Sequence, residues 1–190
     1  MLNGYKFDFR IYVVVTSVNP LEAFIYKEGF GRFSTQPYTL DPDAKANSFI
    51  HLTNTSINNK NLKNYEADSK AFGGTKVALG TLKKVFEDDL SVDWDTQVWT
   101  KIKAVVTKSL IACQNDIVFN PCCFRLYGFD VILDADLRPW LLEINTSPSL
   151  ACDTVLDEMV KQRLIDETLD LVNPVDFDRK RLVEVLERRL

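Results

Sequence analysis

The sequence predicts an α+β fold in which a mainly antiparallel sheet is flanked by helices. Near the N-terminus, residues 5–17 and 22–28 are rich in apolar and β-forming residues, and an Asn-Pro turn separates them, which predicts a hairpin. Residues 128–134 and 139–145 predict a second hairpin with a four-residue connection. Helical patterns between and after the two hairpins supply the flanking helices.

The region between the hairpins is predicted to hold a long loop and two helices. Gly29 and Gly31 interrupt the second strand, and residues 36–70 are rich in polar residues, which predicts a loop of a length that is often functional. Residues 75–89 predict the first helix. The second is predicted from about Asp95 to about Gln114, with an inward face that comprises Val98, Ile102, Val105 and Ile111.

Two more helices are predicted after the second hairpin. Asp153 is a candidate cap for a helix over 154–172, which ends at Asn173-Pro174 and turns Leu156, Val160 and Leu164 inward. A last, charged helix is predicted over 177–190, capped by Asp176. We therefore divide the chain into a folded unit, 1–174, and a charged helical tail, 175–190.

Composition excludes several classes of protein. The 190 residues are 46% hydrophobic and 26% charged, which is typical of one soluble globular domain or one lobe of a larger domain. A net charge of −4 argues against a general nucleic-acid binder. The chain has no signal-peptide pattern and no apolar run of the roughly 18–20 residues that span a bilayer, so we expect a cytoplasmic protein that binds no membrane. With one histidine and no CxxC pair, the cysteines are predicted to be free thiols: Cys113, Cys122, Cys123 and Cys152.

The second hairpin carries an unusual cluster of acids. Pairing its strands directly places Asp130 opposite Glu143, and opposed like charges destabilise a sheet. Alternation predicts a core face of Phe129, Val131, Leu133, Trp140, Leu142 and Ile144, and a polar face of Asp130, Asp134, Glu143 and Asn145. Two carboxylates and an amide oxygen suit Mg²⁺, which would offset the repulsion. A simple solvated face is the alternative, and the pattern alone does not decide between them.

A second charged face lies on the first strand. Lys6, Asp8 and Arg10 share one side, and the apolar residues between them share the other. Two cations with an acid that orients them could hold a phosphate or a carboxylate. Taken by itself, this pattern is better explained by an exposed strand edge with a salt bridge.

Three longer segments, in this order, carry a family resemblance. They are "KFDFRIYVVVTSVNPLEAFIYKEGFGRFST", "HLTNTSINN" and "CFRLYGFDVILDADLRPWLLEINTSPSL". Over residues 4–173 the chain resembles the tubulin tyrosine ligase-like enzymes, and "SPSLACD" is most similar to their polyglutamylase branch. The resemblance implies an ATP-grasp fold, of which this chain would be the C-terminal half. Family members have a long segment before "KFDFR" that completes the nucleotide cleft, whereas only five residues precede Lys6 here, so we expect the N-terminal half of the ATP cleft to be missing.

The resemblance implies an ATP-dependent ligase that adds glutamate to acidic side chains of tubulin C-terminal tails through an acyl phosphate. The implied cofactors are ATP and Mg²⁺, and the implied partners are microtubules and free L-glutamate. The cytoskeleton is the implied location, with the cilium or basal body as narrower sites. Two alternatives stay open, a non-catalytic tubulin- or microtubule-binding module and a tubulin glycylase. Acceptor tubulin and initiation versus elongation stay open too.

The resemblance also implies roles for individual residues. The implied Mg²⁺ ligands are Asp130, Glu143 and Asn145, and the implied ATP contacts are Thr53 and Asn54. Free glutamate would be held by Arg10, Ser56, Lys76 and Lys161, and Arg10 would also stabilise the transferred phosphoryl group. Thr146 matches a variable position near the acceptor chain. Taken singly, Lys76 and Lys161 are typical of solvated lysines, and Arg125 stands where the family usually has an acid.

Overall fold

The computed structural model describes residues 1–54, 58, 75–118, 120, 123–173 and 187–188. Five strands form one sheet: β1 (Phe7–Val18), β2 (Leu21–Phe33), β3 (Lys76–Ala78), β4 (Arg125–Leu133) and β5 (Pro139–Asn145). The α-helices whose bounds fall within the described residues are α1 (Ser48–His51), α2 (Leu79–Lys84), α3 (Thr100–Cys113) and α4 (Val155–Val172). Ser56, Cys122, much of the predicted loop and nearly all of the predicted last helix lie outside the described residues.

The strands are ordered β3-β2-β1-β4-β5, and every neighbouring pair is antiparallel. The predicted fold class and both predicted hairpins are therefore confirmed. The central strand β1 pairs with β2 on one side and with β4 on the other, which brings the two hairpins together. The charged residues of β1 therefore lie beside the acid cluster of the second hairpin, and Arg10 pairs directly with Asp130.

One face of the sheet forms the main hydrophobic core. Phe7, Phe9 and Ile11 of β1 are buried there, as the alternation predicts, with α2, α3 and the turns beside them packed above. Burying one such side chain fully stabilises the fold by about 1.5–3 kcal/mol. On the other face a smaller cluster forms where α4 packs, and it comprises Tyr12, Phe30, Val160 and Leu164. Tyr26, Leu126 and Leu156 pack against this cluster, and Asp8, Arg10 and Asp130 give another part of the same face its polar character.

Gly29 and Gly31 do not end β2, which continues to Phe33, so the predicted interruption is wrong. A Cβ at Gly29 would lie 2.3 Å from the carbonyl oxygen of Arg10, and one at Gly31 would lie 2.3 Å from Cδ1 of Leu82. The two glycines therefore let β1 and α2 approach β2 closely, which is a second reason for glycine inside a strand.

The predicted helix over 75–89 is wrong in its first turn. Residues Lys76–Ala78 form β3, which pairs with Phe30–Arg32, and the helix begins only at Leu79. Beyond Lys84 the helical path continues as a wider π-type turn, Val85–Asp89. Three residues are too short for a strand to show its own pattern, so β3 depends on the edge that β2 offers.

The second predicted helix forms, with a different inward face. It begins as a wider turn, Trp94–Trp99, and continues as α3; Asp93 caps it by accepting hydrogen bonds from the backbone of Asp95 and Thr96. The buried residues are four apart: Val98, Ile102, Val106 and Leu110. Ile111, predicted to point inward, is 57% exposed, and Val105 is half-buried.

Helix α4 follows its predicted bounds within one residue. Its cap is Thr154 and not Asp153, since the Thr154 hydroxyl accepts from the backbone N–H of Asp157. Val160 and Leu164 are buried as predicted, and Leu156 is half-buried. The helix ends at Asn173.

A β-bulge divides the second hairpin. Asp130 pairs with Glu143 as predicted, but Val131 pairs with Leu141, so Leu142 is an extra residue on β5. Beyond the bulge the faces change: Trp140 is 59% exposed and Leu142 53% exposed. The prediction that these two belong to the core is wrong because simple alternation does not survive the bulge.

Asp134 does not join the other acids. It is exposed, and its Oδ1 accepts from the backbone of Asp136 and Arg138, both at 2.9 Å, while Oδ2 accepts from Nε1 of Trp140. These hydrogen bonds, the one from Trp140 first, lower the pKa of Asp134. Its role is therefore to order the turn of the hairpin.

Cys113, Cys123 and Cys152 are free and exposed, as predicted. Within the described part of the chain, no helix has the length and apolar character needed to cross a membrane.

Candidate active site

A cleft of about 800 Å³ opens over the polar face of the sheet. Its charged lining comprises five basic and five acidic side chains: Lys6, Arg10, Arg32, Lys76, Lys161, Asp8, Asp130, Glu143, Asp153 and Asp157. The cleft is thus formally neutral, but its charges are grouped. The grouping gives its parts different chemistry.

Most of the candidate residues from the sequence line this one cleft. They are Arg10, Thr53, Asn54, Lys76, Asp130, Glu143, Asn145 and Lys161. Thr146 is exposed and lies outside the lining, next to Asn145. Ser56 is outside the described residues. Residues far apart in the sequence therefore meet because β1, β3, β5 and α4 all border the same face.

Two aspartates and two arginines form what we call the arginine–aspartate network, on the floor of the cleft. Nε and Nη2 of Arg32 donate to Oδ1 and Oδ2 of Asp8, at 2.7 and 2.8 Å, and Nη2 also lies 2.8 Å from Oδ2 of Asp130. Nε and Nη2 of Arg10 donate to Oδ1 and Oδ2 of Asp130, at 2.5 and 3.1 Å. Two-pronged arginine–carboxylate pairs hold both side chains in one orientation.

Burial makes this network rigid. Asp8, Arg32 and Asp130 are each less than 10% exposed. Burial by itself lowers the pKa of Arg32, but hydrogen bonds and charge from Asp8 and Asp130 outweigh it and raise that pKa. The Thr53 hydroxyl also donates to Asp8, so one of the candidate nucleotide residues is tied to the network. The prediction of an exposed edge with a salt bridge on β1 is therefore wrong, and Asp8 does orient a base, although that base is Arg32.

The opposed acids differ in what they bind. Glu143 is exposed and has no hydrogen-bond or ion-pair partner among the described residues, whereas Asp130 is held by two guanidinium groups. Nδ2 of Asn145 lies 3.4 Å from both Oδ2 of Asp130 and the carbonyl oxygen of Gly128. Because the amide nitrogen makes these two contacts, the side-chain oxygen of Asn145 remains available as an acceptor. The three side chains share one face, as the hairpin register predicts.

These donors fit a magnesium ion. Oδ1 of Asp130 accepts one hydrogen bond and a carboxylate oxygen can accept two, so it retains a site. Together with Glu143 and the side-chain oxygen of Asn145 it offers the hard oxygen ligands that Mg²⁺ prefers. No three His, Cys, Asp or Glu side chains gather into a metal-type cluster among the described residues, so any such site depends on the amide as third ligand.

Three further side chains of the cleft form what we call the lysine–aspartate cluster, and its Lys76 pairs with Arg32 in the β2–β3 register. Asp157 on α4 is 0% exposed. Nζ of Lys76 donates to both its oxygens at 2.8 Å, and Nζ of Lys161 lies 2.9 Å from Oδ1. Both ammonium groups also lie over the Phe30 ring, 5.7 and 5.9 Å from its centroid. The two lysines are therefore held in place and are not the solvated lysines that each suggests alone.

Arg32 and Asp157 were not predicted from the sequence. Asp157 and Lys161 are one helical turn apart, and Asp8 pairs directly with Arg32 in the β1–β2 register, so each had a local signal. The assumed end of β2 at Gly29 hid the second signal. Burial raises the pKa of Asp157, but hydrogen bonds from Lys76, Lys161 and Thr154 outweigh it, so the net pKa is lowered.

Arg125 lies at the start of β4, exposed and outside the cleft lining, where its guanidinium donates to the carbonyl oxygen of Val118. Arg125 is therefore not part of the cleft lining that the described residues form.

The family model "Tubulin-tyrosine ligase family" matches residues 1–181. The chain belongs to the tubulin-tyrosine ligase family. Within this family it is 40% identical to the human "Tubulin polyglutamylase TTLL6" over 202 aligned residues, covering all of this chain and 22% of that protein. It is 42% identical to the Caenorhabditis elegans "Tubulin polyglutamylase ttll-5", covering 95% of this chain and 26% of the relative.

A third relative of the same family is the "Probable alpha-tubulin polyglutamylase Ttll1" of Tetrahymena thermophila, 37% identical over 94% of this chain and 42% of its own length. The chain thus spans less than half of each of these tubulin-tyrosine ligase relatives. The resemblance to the polyglutamylase branch seen in the sequence is confirmed by these relatives.

Proposed function

We propose that this chain is part of an ATP-dependent ligase that adds L-glutamate to acidic side chains of tubulin C-terminal tails. One observation carries the proposal: a candidate metal site and a set of cations line the same cleft, and these residues are Asp130, Glu143, Asn145, Arg10, Lys76 and Lys161. A ligase that joins two anionic partners needs both features. The names of the relatives favour glutamate over glycine as the added amino acid. A tubulin substrate implies a location on microtubules, including those of cilia or basal bodies.

We propose that residues 1–174 form the C-terminal part of an ATP-grasp domain and that 175–190 form a helical tail. In this arrangement the polar face of the sheet is one wall of the nucleotide cleft. Thr53 and Asn54, on the border of the cleft, would contact ATP. Asp130, Glu143 and Asn145 would hold Mg²⁺, which neutralises phosphate charge when it is bound.

Different cations of the cleft would bind different anionic groups of the substrates. Lys76 and Lys161 lie side by side on Asp157, and a carboxylate that bridges them would meet two N–H donors. Arg10 has five N–H donors and uses two on Asp130, so others remain for a phosphoryl group or a second carboxylate. Ser56 would complete the glutamate contacts, and Thr146, at the rim, would face the acceptor chain.

The proposed reaction has two steps. An acceptor carboxylate oxygen attacks the γ-phosphorus of ATP, which releases ADP and leaves an acyl phosphate. The amine of glutamate then attacks the acyl carbon, the C–O bond to phosphate breaks, and an amide and inorganic phosphate remain. Arg10 stabilises the charge on the transferred group, and the fixed cations hold two anionic partners in reach of each other.

The substitution Glu143→Gln tests the proposal in the protein at its full natural length. Gln keeps the shape but loses the charge that a metal ligand needs, so we expect glutamate incorporation into tubulin to fall about 100-fold or more, as for loss of a preorganised electrostatic group. Mass spectrometry of the tubulin tails measures it and separates the mass of glutamate from that of glycine. Glu158→Gln, on the exposed side of α4, is the matched control.

Three outcomes would contradict the proposal. Undiminished incorporation by the Glu143→Gln variant would remove this residue from the metal site. Glycine in place of glutamate on the tails would indicate a glycylase. Microtubule co-sedimentation by the wild-type protein without ATP·Mg²⁺ binding would indicate a non-catalytic binding module.

A further inference from the structure

Asp157 is a buried carboxylate for which the proposed reaction has no direct use. It is 0% exposed although it borders the cleft, and both of its carboxylate oxygens are bound by the two lysines. Three partners bind it: the two ammonium groups and the hydroxyl of Thr154, which donates to Oδ2 at 2.9 Å. A group that is buried, charged and wholly occupied by side chains of the cleft acts on a ligand through those side chains.

The donors of the two lysines can be counted. An ammonium group has three N–H donors. Lys76 directs two contacts to the oxygens of Asp157, and Lys161 directs one to Asp157 and one to the carbonyl oxygen of Ala151. Each lysine therefore retains one N–H among the described residues. Two neighbouring N–H donors match the two oxygens of one carboxylate.

The net charge of the lysine–aspartate cluster also matches a single carboxylate. Two ammonium groups and one carboxylate carry one net positive charge, and the Phe30 ring under both of them adds no formal charge. Both Nζ atoms lie within 2.9 Å of the same oxygen, so they would repel each other strongly without Asp157. A net charge of one is complementary to a carboxylate and is too small for a dianionic group.

We infer that Asp157 is a positioning residue that sets the specificity of the proposed glutamate site, because it holds Lys76 and Lys161 as a pair that accepts one carboxylate. The inference rests on the proposed function and deepens it. Asp157 itself touches no substrate. Removing its charge leaves the two lysines repelling each other, doubles the local positive charge and frees the donors that it occupies.

Other charged and titratable groups around Asp157 are fixed by partners of their own or lie at the cleft border: Tyr12 and Arg10 from β1, Arg32 from β2, and Asp153 before α4. Arg10 and Arg32 are bound to Asp130. The arginine–aspartate network therefore does not replace the lost charge in an Asp157 variant.

The first experiment measures positioning directly and needs no enzyme activity. In the Asp157→Asn variant of the full-length protein, we expect the side-chain ammonium signals of Lys76 and Lys161 in ¹⁵N-lysine NMR spectra to disappear, because their protons lose the bonds that slow exchange with water. Asp166→Asn, an exposed aspartate on the same helix, is the matched control and keeps both signals. Retention of both signals in Asp157→Asn would overturn the inference.

The second experiment measures specificity in the full-length protein. For Asp157→Asn we expect the KM for L-glutamate to rise about tenfold, which corresponds to about 1.4 kcal/mol, while the KM for ATP stays unchanged. Two glutamate analogues, each with one carboxylate replaced by phosphonate, serve as competitors. The one whose phosphonate meets the lysine pair should gain about tenfold over glutamate in the variant, because a dianion matches two positive charges. A general loss of stability would weaken all ligands together.

Rescue separates charge from shape. Asp157→Glu retains the negative charge and should recover the preference for glutamate over the phosphonate. Equal preferences in the wild type, Asp157→Asn and Asp157→Glu would overturn the inference while leaving the ligase proposal intact. A wild-type protein that incorporates no glutamate would instead overturn the ligase proposal, and with it the glutamate specificity inferred here.

Discussion

The two charge groups of the cleft combine basic side chains with aspartates in different ratios. The arginine–aspartate network balances two arginines with two aspartates, and its charges are satisfied inside the protein. The lysine–aspartate cluster sets two lysines against one aspartate and keeps one positive charge. A balanced buried network holds a shape, whereas an unbalanced one at a cleft attracts a ligand of opposite charge. We therefore expect the network to fix the geometry of the cleft and the cluster to attract an anionic ligand.

The largest expected effect comes from breaking the arginine–aspartate network. Asp130→Asn leaves Arg10 and Arg32 without their shared carboxylate, and losing one partner of a buried pair destabilises a protein by about 3–5 kcal/mol. We expect the free energy of unfolding in urea to fall by that amount and glutamate incorporation to be lost.

Asp134→Asn is the control on the same hairpin. Asp134 is exposed and binds only its own turn and Trp140, so incorporation should stay at the wild-type level. A stable, active Asp130→Asn variant would show that the network is not the support of the cleft.

A smaller effect is expected from crowding the network without changing its charge. A Cβ at Gly128 would lie 3.2 Å from Cδ of Arg10 and 3.0 Å from Cβ of Pro148. Gly128→Ala should therefore displace Arg10 and lower the free energy of unfolding by about 1–3 kcal/mol, as overpacking does. The same urea titration measures it. Gly80→Ala is the control, because its added Cβ meets only the flexible end of Glu28. Gly4→Ala is unsuitable because Gly4 has a positive φ.

The smallest effect concerns how the lysine–aspartate cluster changes the stability of the protein in acid. The native pKa of Asp157 is lowered from its ordinary value of 3.8, so its stabilising contribution is fully present above that value and is lost as pH falls through the native pKa. Asp157→Asn should flatten the stability curve below about pH 4 relative to the wild type. Acid unfolding followed by circular dichroism checks this. Identical curves for the wild type and Asp157→Asn would mean that the cluster adds no acid sensitivity.

Local sequence patterns predicted much of the fold and part of the polar residue set of the cleft. Alternation on β1 placed Phe7 and Phe9 in the core. It placed Asp8 and Arg10 on the polar face, because successive side chains of a regular strand point to opposite faces of the sheet. Pairing of the second hairpin placed Asp130 opposite Glu143 for the same reason. These predictions depend only on neighbours in sequence.

The remaining features depend on tertiary contacts. Arg32 acquires its role only when β2 runs past Gly29 and Gly31, which the fit of Leu82 and Arg10 against those glycines allows. Asp157 acquires its role only when Lys76, from a three-residue strand that has no pattern of its own, arrives from the other edge. The roles of the residues implied by the family resemblance stay predictions.

The bulge at Leu142 has a consequence for how this hairpin can vary. It separates the pairing of Asp130 with Glu143 from the pairing nearer the turn. A shift at the tip, through a changed turn sequence, can be taken up at the extra residue before it reaches the acids. The bulge therefore lets the pairing near the hairpin tip change its register without altering the spacing of the two carboxylates.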